Sequence, residues 1–119
     1  MRKNTNYIII SELDYLIIER VKTLRSKKNL SKQELSKKMG VAAGFVGKVE
    51  TISLRDKYNI RHLYLIAKAL NLKSIHELLP KKLPKNDLVK ITYIKVPKIN
   101  KDSTESKQME EKVIKIEPI

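Results

Sequence analysis

The chain has no cysteine and no tryptophan, and only three glycines and four prolines in 119 residues. Without cysteine there is no disulfide scaffold, no thiolate zinc site and no cysteine nucleophile, a composition that fits a reducing cytosol. Aromatic residues make up only 5% of the chain, so a core must be largely aliphatic. No stretch approaches the roughly 18 consecutive apolar residues of a membrane span. The apolar run after the basic start of Arg2 and Lys3, from Tyr7 to Ile10, is too short for the apolar region of a signal peptide. The expectation is a cytoplasmic protein with no membrane partner.

Catalytic constellations are missing as well. His62 and His76 are the only histidines and have no accompanying carboxylate cluster, so they read as ordinary helix residues. No glycine-rich phosphate loop and no Gly-x-Ser-x-Gly elbow occurs, and Ser36-Lys37-Lys38 belongs to a helix pattern. A non-enzyme without metal or cofactor is expected.

What the chain does have is positive charge. Lysine and arginine number 26 against 13 acidic residues, a formal net charge of +13. Such a field attracts a polyanion, with a strength that falls steeply as salt rises. Nucleic acid is therefore the leading partner class, although a lysine-rich solubilising surface has the same composition. The length suits one modest core with an appendage.

The first 80 residues read as helices whose starts are marked. Ser11 with Asp14, Ser31 with Glu34, and Ser74 with Glu77 each place a hydroxyl three residues before a carboxylate, the capping-box spacing. A first helix over about 12–28 carries an apolar stripe of Leu13, Ile17, Val21 and Leu24 and ends at Asn29. A second runs from about Lys32 to Met39, with Gly40 placed for a turn of positive φ. A third covers about Ala42 to Glu50 and buries Phe45, Val46 and Val49. The fourth, about Ile60 to Leu70, carries Leu63, Ile66, Ala67 and Leu70; the fifth is brief, about Ile75 to Leu79, before Pro80.

Three segments follow from this: an N-terminal arm over 1–10, a helical domain over 11–80, and a basic linker and tail over 81–119. In the tail, Val89, Ile91 and Tyr93 alternate with Lys90 and Thr92 in a strand pattern, and Val113 to Ile116 looks similar. Tyr7 to Ile10 is a third β-prone run. The polar stretch Lys98 to Lys112 between the tail runs reads as mobile. An accessory sheet and loose termini are both compatible with the pattern, because an isolated hairpin is marginal in water.

Residues 30–50 (LSKQELSKKMGVAAGFVGKVE) carry the functional signal. Two helices crossing through a tight turn need a small residue at their contact, a glycine in the turn and aliphatic residues locking the second helix to the first. Ser36, Gly40, Val46 and Val49 supply these. Together with Ile18-Glu19-Arg20-Val21, Leu24-Arg25, Gln33-Glu34-Leu35-Ser36, Gly40-Val41, Phe45 to Glu50 and Ile66-Ala67-Lys68-Ala69-Leu70, the chain resembles the Xre, or phage repressor and Cro, family of helix-turn-helix regulators over about residues 15–80.

The resemblance implies a mainly α protein with a five-helix repressor-like domain, a DNA-binding transcriptional regulator and a homodimer on paired half-sites. Helix 42–50 would enter the major groove while helix two crosses the backbone. Carried over position by position, Ala43, Gly44, Gly47 and Lys48 would face the bases. Lys32 and Gln33 would lie near phosphates, and Arg55, Lys57, Tyr58 and Asn59 in the loop over 51–59 would hold the backbone.

The chain also departs from the family. Ala42 and Ala43 replace the usual cap and long polar residue, and Gly44 and Gly47 weaken the helix by about 1 kcal/mol each relative to alanine. The loop after Glu50 looks about two residues longer than usual for the family. Lys48 alone could address a guanine edge, and Ala43 a thymine methyl. Two explanations of the small residues stand: close approach to the groove with readout through phosphates and DNA shape, or a retained fold that has lost sequence reading. Rival functions are an antitoxin-like or adaptor module whose tail adds a strand to a protein partner, and a nonspecific nucleic-acid binder.

Overall fold

The computed structural model describes residues 4–119, so the basic start at Arg2 and Lys3 lies outside the described residues. Its elements in order are β1 (Asn6–Ser11), α1 (Glu12–Lys27), α2 (Lys32–Met39), α3 (Phe45–Glu50), α4 (Ile60–Ala69), β2 (Leu88–Ile99) and β3 (Glu105–Pro118), with 3-10 turns at Ile52–Leu54 and Ile75–Leu78.

The helix boundaries follow local chemistry. Ser11 Oγ accepts from Asp14 N at 3.1 Å to start α1. Ser31 and Glu34 form a reciprocal capping box on α2, and Ser74 and Glu77 form one on the second 3-10 turn. Asn29 and Gly40 take positive φ, 56° and 78°, where α1 and α2 end. The buried face of α1 is Ile17, Ile18, Val21 and Arg25, turned slightly from the expected stripe, so that Leu13 stands exposed.

A mainly α protein with five helices is not what forms. Among the described residues there are four α-helices, the expected fifth being the 3-10 turn Ile75–Leu78, and β1, β2 and β3 join in a three-stranded antiparallel sheet of that order. β1 pairs with β2 from Asn6 opposite Tyr93 to Ser11 opposite Leu88. β2 pairs with β3 from Val89 opposite Pro118 to Ile99 opposite Glu105.

The physical reason is a shared core. Ile8 and Ile10 of β1 and Val89, Ile91 and Tyr93 of β2 form one buried cluster with Ile17, Ile18 and Val21 of α1, Leu35, Val46, Val49, Leu63 and Ile66. Each such aliphatic side chain taken from water contributes about 1.5–3 kcal/mol, which a hairpin alone lacks and a sheet docked on helices gains.

The polar stretch 98–112, expected to be mobile, is mostly strand. Its turn is confined to residues 100–104, where Asp102 Oδ1 accepts from Thr104 N at 3.1 Å and from Thr104 Oγ1 at 2.6 Å, and Asn100 N donates to Thr104 O at 2.8 Å. A polar composition does not prevent strand pairing when the backbone ladder and a side-chain-closed turn hold it.

Candidate nucleic-acid interface

A buried hydroxyl bridges α2 and α3. Ser36 is fully buried; its Oγ donates to Lys32 O at 3.0 Å and accepts from Val46 N at 3.0 Å. Val46 N lies in the first turn of α3, where no residue of that helix can accept from it, and Ser36 supplies the missing partner. Leu35, Met39, Val46 and Val49 are buried around it.

A second clamp closes the base of the motif. Arg25 of α1 makes a two-pronged ion pair with Glu50 at the end of α3, Nε to Oε2 and Nη2 to Oε1 both at 2.9 Å, while Nη1 donates to Leu30 O at 2.7 Å. The side chains retain only 11% and 2% exposure. The sequence names Arg25 only beside Leu24 in the family resemblance and gives it no partner, because nothing in the spacing of positions 25 and 50 announces a contact between different helices.

The candidate residues fall into groups. Ala43, Gly44 and Lys48 are exposed and Gly47 is half-buried. The third helix is shorter than the expected 42–50: it starts at Phe45, with Gly44 as its cap and no capping side chain, so Ala42 and Ala43 lie in the turn before it. Neither offers a side-chain oxygen for a longer start. Exposed Lys32 of α2 runs beside α3, since a Cβ added to Gly47 would meet Lys32 Cδ at 3.9 Å. Gln33 is exposed on the same first turn of α2.

The loop residues are less uniform. Arg55 is exposed and held at a φ of 63°, ending the 3-10 turn after α3. Lys57 reaches back to Asp14 at 4.0 Å. Asn59 caps α4, its Oδ1 accepting from His62 N at 2.8 Å while its own N donates to His62 Nδ1 at 2.9 Å. Burial and neighbouring Arg61 hold the His62 pKa below its usual value.

Tyr58 is the exception to the surface reading. It is buried, packed edge-on to Phe45 at 5.9 Å, and its hydroxyl is buried with no hydrogen-bond partner. Burial, reinforced by the charge of Glu50, drives its pKa upward. Its ring packs against Phe45 and His62, so Tyr58 is a packing residue here and not a surface one.

Among the described residues there is no cluster of three or more histidine or carboxylate side chains able to hold a metal ion, and no helix long and apolar enough to cross a membrane.

No protein-family model matches the chain, and no curated protein matches it. Among solved structures it is similar to the hypothetical transcription factor NHTF from Neisseria, at 24% identity and a TM-score of 0.51 over 62% of this chain and 78% of that one. It is also similar to the N-terminal DNA binding domain of SinR from Bacillus subtilis (31% identity, TM-score 0.49, 59% of this chain and 99% of that one). A third similar structure is the restriction-modification controller protein C.AhdI from Aeromonas hydrophila (28% identity, TM-score 0.46, 53% of this chain and 91% of that one). The locked α2–α3 pair, with the fold likeness to the Neisseria protein, defines a helix-turn-helix domain. The likeness to the Neisseria protein is one of fold.

Proposed function

We propose that this chain is a DNA-binding transcriptional regulator in which α3 enters the major groove and α2 crosses the adjacent backbone. The observation that carries the reading is the Ser36–Val46 bond: it fixes α3 against α2 with Ala43, Gly44 and Lys48 turned to solvent and Lys32 alongside Gly47. In this reading Lys48 addresses a base edge, while Lys32, Gln33, Arg55 and the first turn of α4 at Asn59 meet phosphates. Lys57 joins them when its long contact to Asp14 opens. The small surface of Ala43, Gly44 and Gly47 lets the helix approach closely, and specificity draws on DNA shape. Two copies occupy paired half-sites as a homodimer, and the protein acts in the cytoplasm.

A second reading is a protein-interaction module. β3 is one of the two edge strands of the sheet, and Ile114 and Ile116 on it are half-exposed, an arrangement open to an added strand from a protein partner.

Fluorescence-anisotropy titration of wild type and Lys48→Ala against the DNA upstream of the protein's own gene and against scrambled duplex separates the readings. The regulator prefers the upstream DNA, and Lys48→Ala loses much of that preference. Equal binding of both duplexes by both proteins, collapsing as salt rises, leaves only nonspecific attraction. Absence of binding to either duplex returns the protein-interaction reading.

A further inference from the structure

We infer that the free half of the β2–β3 hairpin is a second DNA-backbone contact, in which Lys95 and Lys98 join Lys22 of α1 and Lys32 of α2 to hold phosphates beside α3. The inference rests on the reading of α2–α3 as a DNA-binding unit and extends it to a segment outside the helix-turn-helix.

The hairpin is longer than the sheet needs. β1 covers β2 only as far as Tyr93, so the half of β2 from Ile94 to Ile99 has β3 as its only strand neighbour among the described residues. The arm is placed by tertiary contact. Ser53 N, in the 3-10 turn that follows α3, donates to Glu111 Oε2 of β3 at 3.3 Å. Lys95 stands opposite Glu111 in the strand register. The arm is thereby set beside the C-terminal end of α3.

Between arm and helices lies a cleft of about 400 Å³ whose lining includes Lys22, Lys32, Lys95, Lys98, Glu110 and Glu111. Lys22, Lys32 and Lys95 are exposed and Lys98 is half-buried. None of these four ammonium groups forms an ion pair among the described residues, since the pairs present are Arg25–Glu50, Lys57–Asp14 and Lys115–Glu117. Glu50, which also lines the cleft, is spent on Arg25, and one oxygen of Glu111 is engaged by Ser53.

With Glu50 paired to Arg25, the four lysines face Glu110 and Glu111, so the cleft keeps a net charge of 4 − 2 = +2 that a phosphate placed near the lysines would offset. Lys32 belongs to this cleft and also lies against Gly47 of α3. The cleft is therefore continuous with the face proposed to meet DNA, and a sugar-phosphate backbone leaving the groove at α3 passes Lys32 first and the arm next. The chemistry on offer, lysine without an aromatic stacking platform, suits duplex phosphates and not unstacked bases.

The test compares full-length wild type, Lys95→Ala/Lys98→Ala, and Lys81→Ala/Lys82→Ala, which removes the same charge from exposed lysines outside the cleft. Each is titrated at several salt concentrations against the upstream duplex and against duplex RNA of the same length. Each phosphate contact adds about 0.9 to the slope of log affinity against log salt. The arm variant is expected to lose roughly 1 to 2 from that slope and on the order of tenfold in DNA affinity at moderate salt, while the linker variant keeps the wild-type slope. Circular dichroism confirms that the arm variant is folded.

Wild-type binding with an arm variant of unchanged slope overturns the inference and leaves the regulator intact. Equal losses in the arm and linker variants also overturn it, because net charge alone would then explain them. A loss confined to duplex RNA overturns the assignment to DNA. Failure of the wild type to bind the upstream duplex at all overturns the regulator reading itself.

Discussion

Ser36 Oγ accepts from the Val46 amide at 3.0 Å across the turn that joins α2 to α3, and the same hydroxyl donates to Lys32 O at 3.0 Å. Ser36→Ala leaves the Val46 N–H buried without a partner. The expected cost is about 1–3 kcal/mol, read as a lowered denaturation midpoint with unchanged slope. Because the lost bond positions α3, DNA affinity falls further than a matched core lesion of equal stability such as Leu63→Val. Equal affinity in the two variants would show that α3 is placed by its apolar contacts alone.

Glu50→Gln keeps the size of the side chain but removes the charge that faces Arg25 through two 2.9 Å contacts. An almost fully buried guanidinium then lacks its counter-charge, and the cost is expected to be about 3 kcal/mol or more. Arg25→Met/Glu50→Leu, which replaces both partners by apolar groups, recovers most of that loss. Urea titration of the single and double variants measures the difference. A double variant no more stable than Glu50→Gln would indicate that the pair stabilises the fold on net.

Tyr58→Phe removes a hydroxyl that is buried and unpartnered while keeping the ring against Phe45 and His62. Stability is expected to hold or rise by up to about 1 kcal/mol, and DNA affinity is unchanged. A fall in DNA affinity with stability maintained would restore Tyr58 to the interface.

Gly47→Ala tests why α3 is made of small residues. The added Cβ meets only Lys32 Cδ at 3.9 Å, an ordinary contact, so the substitution gains helix propensity of up to about 1 kcal/mol and raises the melting temperature by about 3 °C. If the small surface exists for close approach to the groove, the more stable protein binds DNA more weakly. Unchanged affinity would favour a helix that has ceased to read sequence.

His62 gives a pH dependence of known sign. Its Nδ1 accepts from Asn59 N, so the neutral ring completes the cap of α4, and burial lowers its folded pKa below the unfolded value of about 6.5. Between those two values the unfolded state binds more protons, so stability rises with pH there and is lost as pH falls from about 7 through 6.5 and below. The ring is only half-buried, so the effect is small. His62→Gln keeps an acceptor at the same capping position and should flatten the thermal midpoint between pH 8 and 5.5 relative to wild type; parallel profiles would remove His62 as the cause.

Much of the helical half was legible because its signals are local. Hydroxyl-to-carboxylate spacing marked the starts of α1, α2 and the last turn, Asn29 and Gly40 marked the ends, and Leu63, Ile66, Ala67 and Leu70 are buried as their period required. The boundaries of α3 were less legible, since Ala42 and Ala43 are good helix formers that nevertheless lie in the turn before Gly44. The β-prone runs at Tyr7–Ile10 and residues 88–96 were visible as strands without partners. Their pairing was not, because register between positions 6 and 93 is a long-range choice made by which face finds the helical core.

The sequence by itself determined where the helices start and stop, which side chains are apolar enough to bury, and that a helix-turn-helix would carry a strongly basic surface. Only the tertiary structure decided that the chain ends close into one sheet, that Arg25 meets Glu50, that Tyr58 turns inward, and that a hairpin bearing Lys95 and Lys98 stands beside α3. The division has one physical cause. Capping and periodicity are settled within a few residues of chain, whereas strand partnership and ion pairing between helices depend on which surfaces meet once the core has excluded water.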